Sequence, residues 1–491
     1  MEPPLEQMLA GGDLSSPLDA VFVNAPLRDH SLRKRVNNIT LPVLDMGYIT
    51  SYAAQQGFNV AVLDAEALGL TVEQTQHLLN SCQPGWVGLN LLAPTYELSA
   101  RIVAGLREDI AVMVGGHQAK AMPHAVLADP RFARVDALVL GEGETRVAEL
   151  LNDPGRRAGL PGIMWVDPAH GKPVTAGDTC PDTEREHYLA PDLNALPFLD
   201  RGFLINDPFP TPDGRIEANM VGTRGCPYNC SFCGAAVSLN KDISIRVRSP
   251  ENLLAEMHAL QQAFGVTAFR FVDDLFLGRP SFIHACMDAF AAEGIGDRYV
   301  WDATGRINVL YQAKDRLLDR LAENGCREIA LGMESGSARL LRYMNKGVTP
   351  AMTRTVMKRL PARGISVKGY FILGFPTETH AELHETIDFI HRLWELTDTQ
   401  LGQFRASVFE FRPYPGTPEW HRFIATGNYT PAQLLAYTPI DLTHNGLDDA
   451  MRARDEFNFS VNLQFGEVSI TTLCHELVQL SRAQYARNQK A

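Results

Sequence analysis

The chain has 491 residues, with 45 Lys+Arg against 57 Asp+Glu for a formal net charge of −12, and is 45% hydrophobic and 21% charged. That length asks for two or three domains, and an average apolar fraction without a run of roughly 20 predominantly apolar residues argues against both disorder and a membrane span. The acidic balance, with no Lys/Arg cluster, leaves no footprint for a polyphosphate backbone, so a small molecule or peptide is the expected substrate and nucleic acid is not.

The first 17 residues lack the basic and apolar regions of a secretory signal, so the reducing cytoplasm is the expected location. From 18 to 151 short apolar runs alternate with helical spacing: AVFVNAP (20–26), NVAVLDA (59–65), GWVGLNLLAPT (85–95), AVMVGGH (111–117) and DALVLGEGE (136–144). In each run four or five apolar residues are followed by Gly, Pro, Asn or Asp, which is the pattern of a doubly wound, Rossmann-like parallel sheet. Ligands of such sheets bind beyond the carboxyl ends of the strands. One rim is therefore expected to carry Asn24, Pro26, Leu91, Thr95, Gly115, Gly116, His117, Gly141 and Glu142, its glycines admitting a large flat ligand close to the backbone.

Residues 152–215 are richer in Pro, Asp and Gly and read as a linker with short strands such as GIMWV. A second alternation fills 216–419: EANMVGTRG (217–225), AFRFVDD (268–274), RYVWDATG (298–305), EIALGMESG (328–336), VKGYFILGFP (367–376) and ASVFEFRPYPGTP (406–418), with Ser249 as N-cap of a helix from Pro250. Six strand–helix units are too few for an eight-unit barrel and predict a partial (β/α)6 barrel, with functional residues where strands end. The rest, 420–491, reads as a mostly helical C-terminal segment. Phe457, Phe459 and Phe465 there either cover the barrel mouth or form one packed face of a strand, the more ordinary role.

Eight cysteines are too sparse for a disulfide framework, and Cys82, Cys180, Cys286, Cys326 and Cys474 stand alone as small buried apolar residues. Cys226-Pro-Tyr-Asn-Cys230-Ser-Phe-Cys233 is different: three thiols in one loop opened by Gly225, just after a strand. Three thiolates suit three corners of a four-iron, four-sulfur cubane and leave the fourth iron open. Structural zinc would want a fourth ligand, for which Cys180, His187 and His258 are the nearest candidates.

This loop resembles the signature of the radical S-adenosylmethionine (SAM) superfamily. The resemblance continues through Arg246-Val-Arg248-Ser-Pro-Glu-Asn252, Phe271-Val-Asp273-Asp274-Leu-Phe276, Gly332-Met-Glu334-Ser335-Gly336-Ser337, the Gly369–Thr379 run and Arg412-Pro-Tyr-Pro-Gly416-Thr-Pro418. It implies that Cys226, Cys230 and Cys233 bind a [4Fe-4S] cluster whose open iron chelates S-adenosylmethionine, that Phe232 packs near the adenine, and that Glu334 and Ser335 lie by the methionine or ribose end. By their own chemistry Glu334 and Ser335 also fit a strand-end pair satisfied by local backbone. Adjacent Asp273 and Asp274 point to opposite faces. Arg306 either binds a carboxylate or, more ordinarily for a single Arg, makes a surface ion pair.

The first domain, with LPVLDMGYIT (41–50), Gly115-Gly116 and LGEGE (140–144), is similar to the cobalamin-binding domain of the cobalamin-dependent branch of that superfamily. No Asp-x-His-x-x-Gly follows its first strand: Asp29 and His30 are adjacent, and His30 and His117 read by themselves as ordinary loop histidines. The cysteine positions match neither auxiliary-cluster enzymes nor methylthiotransferases. The resemblance implies a class B-like radical methyltransferase acting on an unactivated carbon, less often phosphorus, with an external one-electron reductant such as flavodoxin or ferredoxin. Rearrangement, ring contraction or oxidative cyclisation is the alternative within the class, and a noncatalytic corrin-binding module or sensor the alternative outside it.

Overall fold

The computed structural model describes residues 7–32, 42–153, 159–175, 192–235, 245–439 and 459–488. Cys180, His187 and Phe457 lie outside the described residues. The chain divides into two compact units, Met1–Asp207 and Pro208–Ala491.

In the first unit, β1 (Ala20–Asn24), β2 (Val60–Asp64), β3 (Trp86–Asn90), β4 (Ala111–Gly115) and β5 (Ala137–Val139) are parallel in the order 2-1-3-4-5. This is one of the two common doubly wound orders, with its switch point between β1 and β3. The strands read as unbroken apolar runs because both faces are covered. Val21, Val23, Ala61, Leu63, Val87, Leu89, Val112 and Val114 enter one core, and Ala20, Phe22, Val60, Val62, Trp86 and Met113 enter the other. Each large side chain so buried contributes roughly 1.5–3 kcal/mol before the entropic cost of ordering it.

Much of the segment expected as a linker belongs to this unit. Strands β6 (Ile163–Asp167) and β7 (Lys172–Thr175) extend the sheet antiparallel beyond β5, and Phe203 joins the second core. The division falls at Asp207, after Arg201 has closed on Asp207 in a buried ion pair of 3.0 Å. Pro and Gly mark turns, and a turn between two hairpin strands looks the same in sequence as a turn in a linker.

In the second unit, β9 (Ile216–Met220), β12 (Ala268–Phe271), β13 (Val300–Gly305), β14 (Cys326–Glu334), β15 (Ser366–Leu373) and β16 (Phe404–Glu410) form six consecutive parallel strands, and β8 (Phe209–Pro210) pairs antiparallel with β9. This is the open half-barrel. Between β9 and β12 the short pair β10 (Thr223–Arg224) and β11 (Arg246–Val247) brackets the cysteine loop. Ser249 caps the helix Pro250–Phe264, accepting from the Asn252 N–H.

Two irregularities in β14 matter. The register passes from Trp301↔Cys326 to Asp302↔Glu328, so Arg327 is the extra residue of a bulge. Its guanidinium bridges Asp302 at 2.8 Å and Glu217, which also pairs with Arg270 at 2.7 Å. At the other end the register passes from Gly332↔Tyr370 to Glu334↔Phe371, and Glu334 takes a left-handed φ of 61°. Bulges re-aim side chains, and this one lies at the carboxyl end of the strand.

The C-terminal helix Ile470–Asn488 packs on β16: the Gln484 side-chain oxygen accepts from the Trp394 indole at 2.9 Å and the Ala406 N–H at 2.8 Å. Phe465 packs among Phe411, Phe423 and Tyr429, and Phe459 is buried in a two-residue strand. No helix among the described residues is long and apolar enough to cross a membrane.

Candidate functional site

The cysteine loop is tied down at both ends. Asp273 is buried and its Oδ1 accepts from the N–H groups of Gly222, at 2.9 Å, and Thr223, just ahead of the loop. Asp274 is exposed, and both residues lie just past the end of β12 at Phe271. Arg248 donates to the Val221 carbonyl at 2.9 Å and closes on buried Glu256. Within the loop Gly225 has a φ of 93°, a left-handed turn that glycine takes without strain. The Ser231 N–H donates to the Met344 carbonyl at 2.9 Å, and Asn345 donates to the Asn229 carbonyl at 2.7 Å.

Burial pushes the Cys233 thiol up to about 12 and raises that of Cys226, while Arg306 works the other way on Cys226. Thiols so placed become thiolates only against positive charge, and two cations stand by. The Arg306 guanidinium donates to Cys230 Sγ at 3.6 Å, lies 3.6 Å from the Tyr228 ring centroid and donates to the Lys346 carbonyl. It is 6% exposed, which corrects the expectation of a surface ion pair. Its contact with the cysteine loop was not legible in the sequence, because Arg306 and Cys230 are 76 positions apart.

Lys346 is the other cation and sequence reading missed it. Its Nζ sits 2.6 Å from Glu334 Oε1 and 5.8 Å from the centroid of Phe232. Burial works against its charge, but Glu334 and Cys230 together outweigh that and hold its pKa above the ordinary lysine value. Gly332 makes the pair possible: a Cβ there would come within 2.3 Å of Glu334 Oε1 and 2.5 Å of Lys346 Nζ. Phe232 packs edge-on against Phe375. The structure thus brings Cys226, Cys230, Cys233, Phe232 and Glu334 together. Ser335 is different: its hydroxyl bonds Thr386 Oγ1 and accepts the Ser337 N–H, each at 3.0 Å, the local satisfaction that its chemistry allowed.

Among the described residues no three His, Cys, Asp or Glu side chains gather as ligands of a single metal ion. A cubane cluster instead takes thiolates at separate corners. Three thiols in one loop, each within electrostatic reach of another and faced by buried cations, fit it.

In the first unit the expected rim residues follow the carboxyl ends of neighbouring strands. Asn24 donates to Asp64 at 2.8 Å, Pro26, Leu91 and Thr95 are buried, and Leu91 accepts from the Gln118 N–H at 2.9 Å. Gly115 and Gly116 end β4 and start the helix Gly116–Ala121, with His117 exposed in its first turn. Gly116 has a φ of 89°, and a Cβ there would lie 1.9 Å from Asn90 Oδ1. Gly141 is also left-handed at 74°, and Glu142 accepts from Arg146 through its carbonyl at 2.6 Å. Asn90, the last residue of β3, is an unforeseen member: its Nδ2 donates to Asp45 at 2.5 Å, and its Oδ1 is buried with no hydrogen-bond partner. Gln118 Oε1 is orphaned in the same way. Orphaned buried acceptors beside a glycine turn at a switch point fit a polar, close-approaching ligand. His30 is buried against Glu66 at 3.2 Å and Asp29 pairs with Arg101 at 2.7 Å, so both serve internal contacts.

Two outcomes follow from these placements. Gly116→Ala forces a Cβ into the Asn90 side chain at a strained φ and is expected to cost about 1–3 kcal/mol of stability and to lower corrin retention on gel filtration. Burial pushes the Asp273 carboxyl from its ordinary 3.8 to about 7. The folded chain therefore keeps a proton there that the unfolded chain has released, and stability falls with rising pH between about 4 and 7, by about 1.4 kcal/mol per pH unit. Asp273→Asn keeps the acceptor oxygen and should remove that share of the slope in urea unfolding across this range. Glu378, raised to about 7 by burial, should leave a residual slope.

Residues 220–390 match the Radical SAM superfamily and residues 38–151 match the B12 binding domain. The chain is 28% identical to an uncharacterized methyltransferase of Pyrococcus horikoshii over 83% of this chain and 84% of that one. It is 25% identical to an anaerobic magnesium-protoporphyrin IX monomethyl ester cyclase of Rubrivivax gelatinosus, over 75% and 68%. The structure of TsrM, a radical S-adenosylmethionine methyltransferase from Kitasatospora setae with tryptophan and a SAM analog bound, superposes with a TM-score of 0.62 at 18% identity, covering 86% of this chain and 78% of that one. The chain carries a radical SAM domain and a B12-binding domain. The first implies a [4Fe-4S] cluster and S-adenosylmethionine, the second cobalamin.

Proposed function

We propose that this chain, with its radical SAM domain and its B12-binding domain, is a cobalamin-dependent radical SAM methyltransferase that methylates an unactivated carbon, or less often phosphorus, of a small metabolite or peptide precursor. The observation that carries the reading is the loop of three thiols faced by Arg306 and Lys346, in a chain that also has a corrin-binding domain. When bound, the cluster supplies the electron that cleaves S-adenosylmethionine, and the corrin relays a methyl group.

In this reading Cys226, Cys230 and Cys233 hold the cluster. Phe232 offers its ring to the adenine, and Glu334, oriented by Lys346, offers its other carboxylate oxygen to the methionine or ribose end. Ser335 holds the turn that aims Glu334. Asn24, Pro26, Leu91, Thr95, Gly115, Gly116, His117, Gly141 and Glu142 form the rim that takes the corrin, with Asn90 added. The cobalamin-binding domain of 18–151 falls in the first compact unit and the partial barrel of 216–419 in the second, with the helix Ile470–Asn488 of the C-terminal segment packed on β16. A flavodoxin or ferredoxin delivers the electron, and the reducing cytoplasm is where three unpaired thiols keep their chemistry.

The test is anaerobic: the cluster is rebuilt, hydroxocobalamin added, and the loaded chain given reductant, methyl-labelled S-adenosylmethionine and a small-molecule extract. Label in a product together with 5′-deoxyadenosine supports methyl transfer. 5′-Deoxyadenosine without label transfer favours the second reading, a cyclisation, to which the similarity with the cyclase of Rubrivivax gelatinosus points. Neither product from a chain with a full cluster and corrin overturns both.

A further inference from the structure

Arg306 is a buried cation whose bonds, among the described residues, reach no carboxylate. Its partners are the Cys230 sulfur at 3.6 Å, the Lys346 carbonyl and the Tyr228 ring, and its Nε is buried without a hydrogen-bond partner. The neighbouring Lys346 has its own counter-ion in Glu334. A buried charge is retained only where something compensates it, and of the groups bonded to Arg306 the Cys230 sulfur is the one that can carry a negative charge, as a thiolate.

We propose that Arg306 is the counter-ion of the cluster and sets its reduction potential. This rests on the assignment of Cys226, Cys230 and Cys233 as cluster ligands. The oxidised core with three thiolates is a net anion, and reduction adds one electron and one further negative charge. A fixed guanidinium beside one thiolate stabilises the reduced form more than the oxidised form, through charge and through a hydrogen bond to the sulfur. The Tyr228 ring holds the guanidinium in place from one side, and the Asn308 amide, donating to Tyr228 Oη at 3.0 Å, holds the ring. Arg306 is in these terms a positioning and tuning residue.

The experiment is a redox titration of the anaerobically rebuilt full chain, followed by electron paramagnetic resonance, without S-adenosylmethionine, so that cosubstrate binding cannot move the result. Arg306→Lys keeps the charge and should stay within about threefold of the wild-type ratio of reduced to oxidised cluster at any set potential. Arg306→Gln removes the charge and should shift that ratio about tenfold toward oxidised, a fall of about 59 mV for a one-electron couple. Should the Gln variant fail to hold iron, Tyr228→Leu takes its place and should shift the ratio in the same direction by about threefold. A midpoint equal to wild type in the uncharged variant, or in Tyr228→Leu where that stands in, at full iron content, overturns the proposal. Failure of the wild-type chain to take up a cluster overturns the ligand assignment, and the proposal with it, and is read separately from iron content.

Discussion

Alanine at Cys226, Cys230 or Cys233 is expected to abolish reductive cleavage of S-adenosylmethionine, a loss larger than the roughly 10–100-fold that removing an outer-shell partner costs. The open fourth iron leaves no spare ligand, so two thiolates cannot hold the cubane in its place. Iron content and 5′-deoxyadenosine formation, measured anaerobically, check this. Iron at the wild-type level in any of the three variants would sink the assignment. Cys286→Ala or Cys326→Ala, whose thiols are buried in the barrel wall, should leave iron content unchanged and cost only packing.

The second large effect is expected at Glu334. Its removal by alanine leaves the Lys346 ammonium buried beside Phe232 with its partner gone, which costs about 3–5 kcal/mol in unfolding free energy. The combined Glu334→Ala and Lys346→Met chain should recover most of that, because an apolar pair in place of a buried ion pair is often neutral. Gly332→Ala should act in the same direction as Glu334→Ala, since its Cβ would occupy the space between the two charges. Urea unfolding of the three chains distinguishes them. A single Glu334→Ala variant as stable as wild type would mean that Lys346 finds water or another partner.

Both effects arise at residues that differ in how legible they were. The cysteine spacing is local, and three thiols in eight residues carry their chemistry without help from the fold. The strands of both units were legible for a similar reason: apolar runs bounded by Gly, Pro, Asn or Asp report burial on both faces, and the observed strands lie within or close to the runs. The boundary at Asp207 was not legible: GIMWV reads as a short strand, but that β6 pairs with β5 and β7 with β6, adding both to the first sheet, is set by long-range pairing and not by composition.

Glu334 and Ser335 show the limit most clearly. They are adjacent in one motif, yet one carboxylate meets Lys346 and the neighbouring hydroxyl is taken by Thr386. A bulge between Gly332 and Glu334, with Met333 as the extra residue, and a left-handed φ at Glu334 decide which way each points, and neither is written in residue type alone.

By itself, the sequence determined the chemistry that spacing can encode: two α/β sheets in order, a three-thiol loop, glycine turns at the strand ends. Only the tertiary structure decided what surrounds those groups. Arg306, Lys346 and Asn90 reach the sites from strand ends and loops far along the chain, and burial turned Arg306 from an ordinary surface charge into a cation held against sulfur. The physical reason is that a charge acquires its consequence from its dielectric surroundings and its partners, and both are made by packing between segments that the chain itself keeps apart.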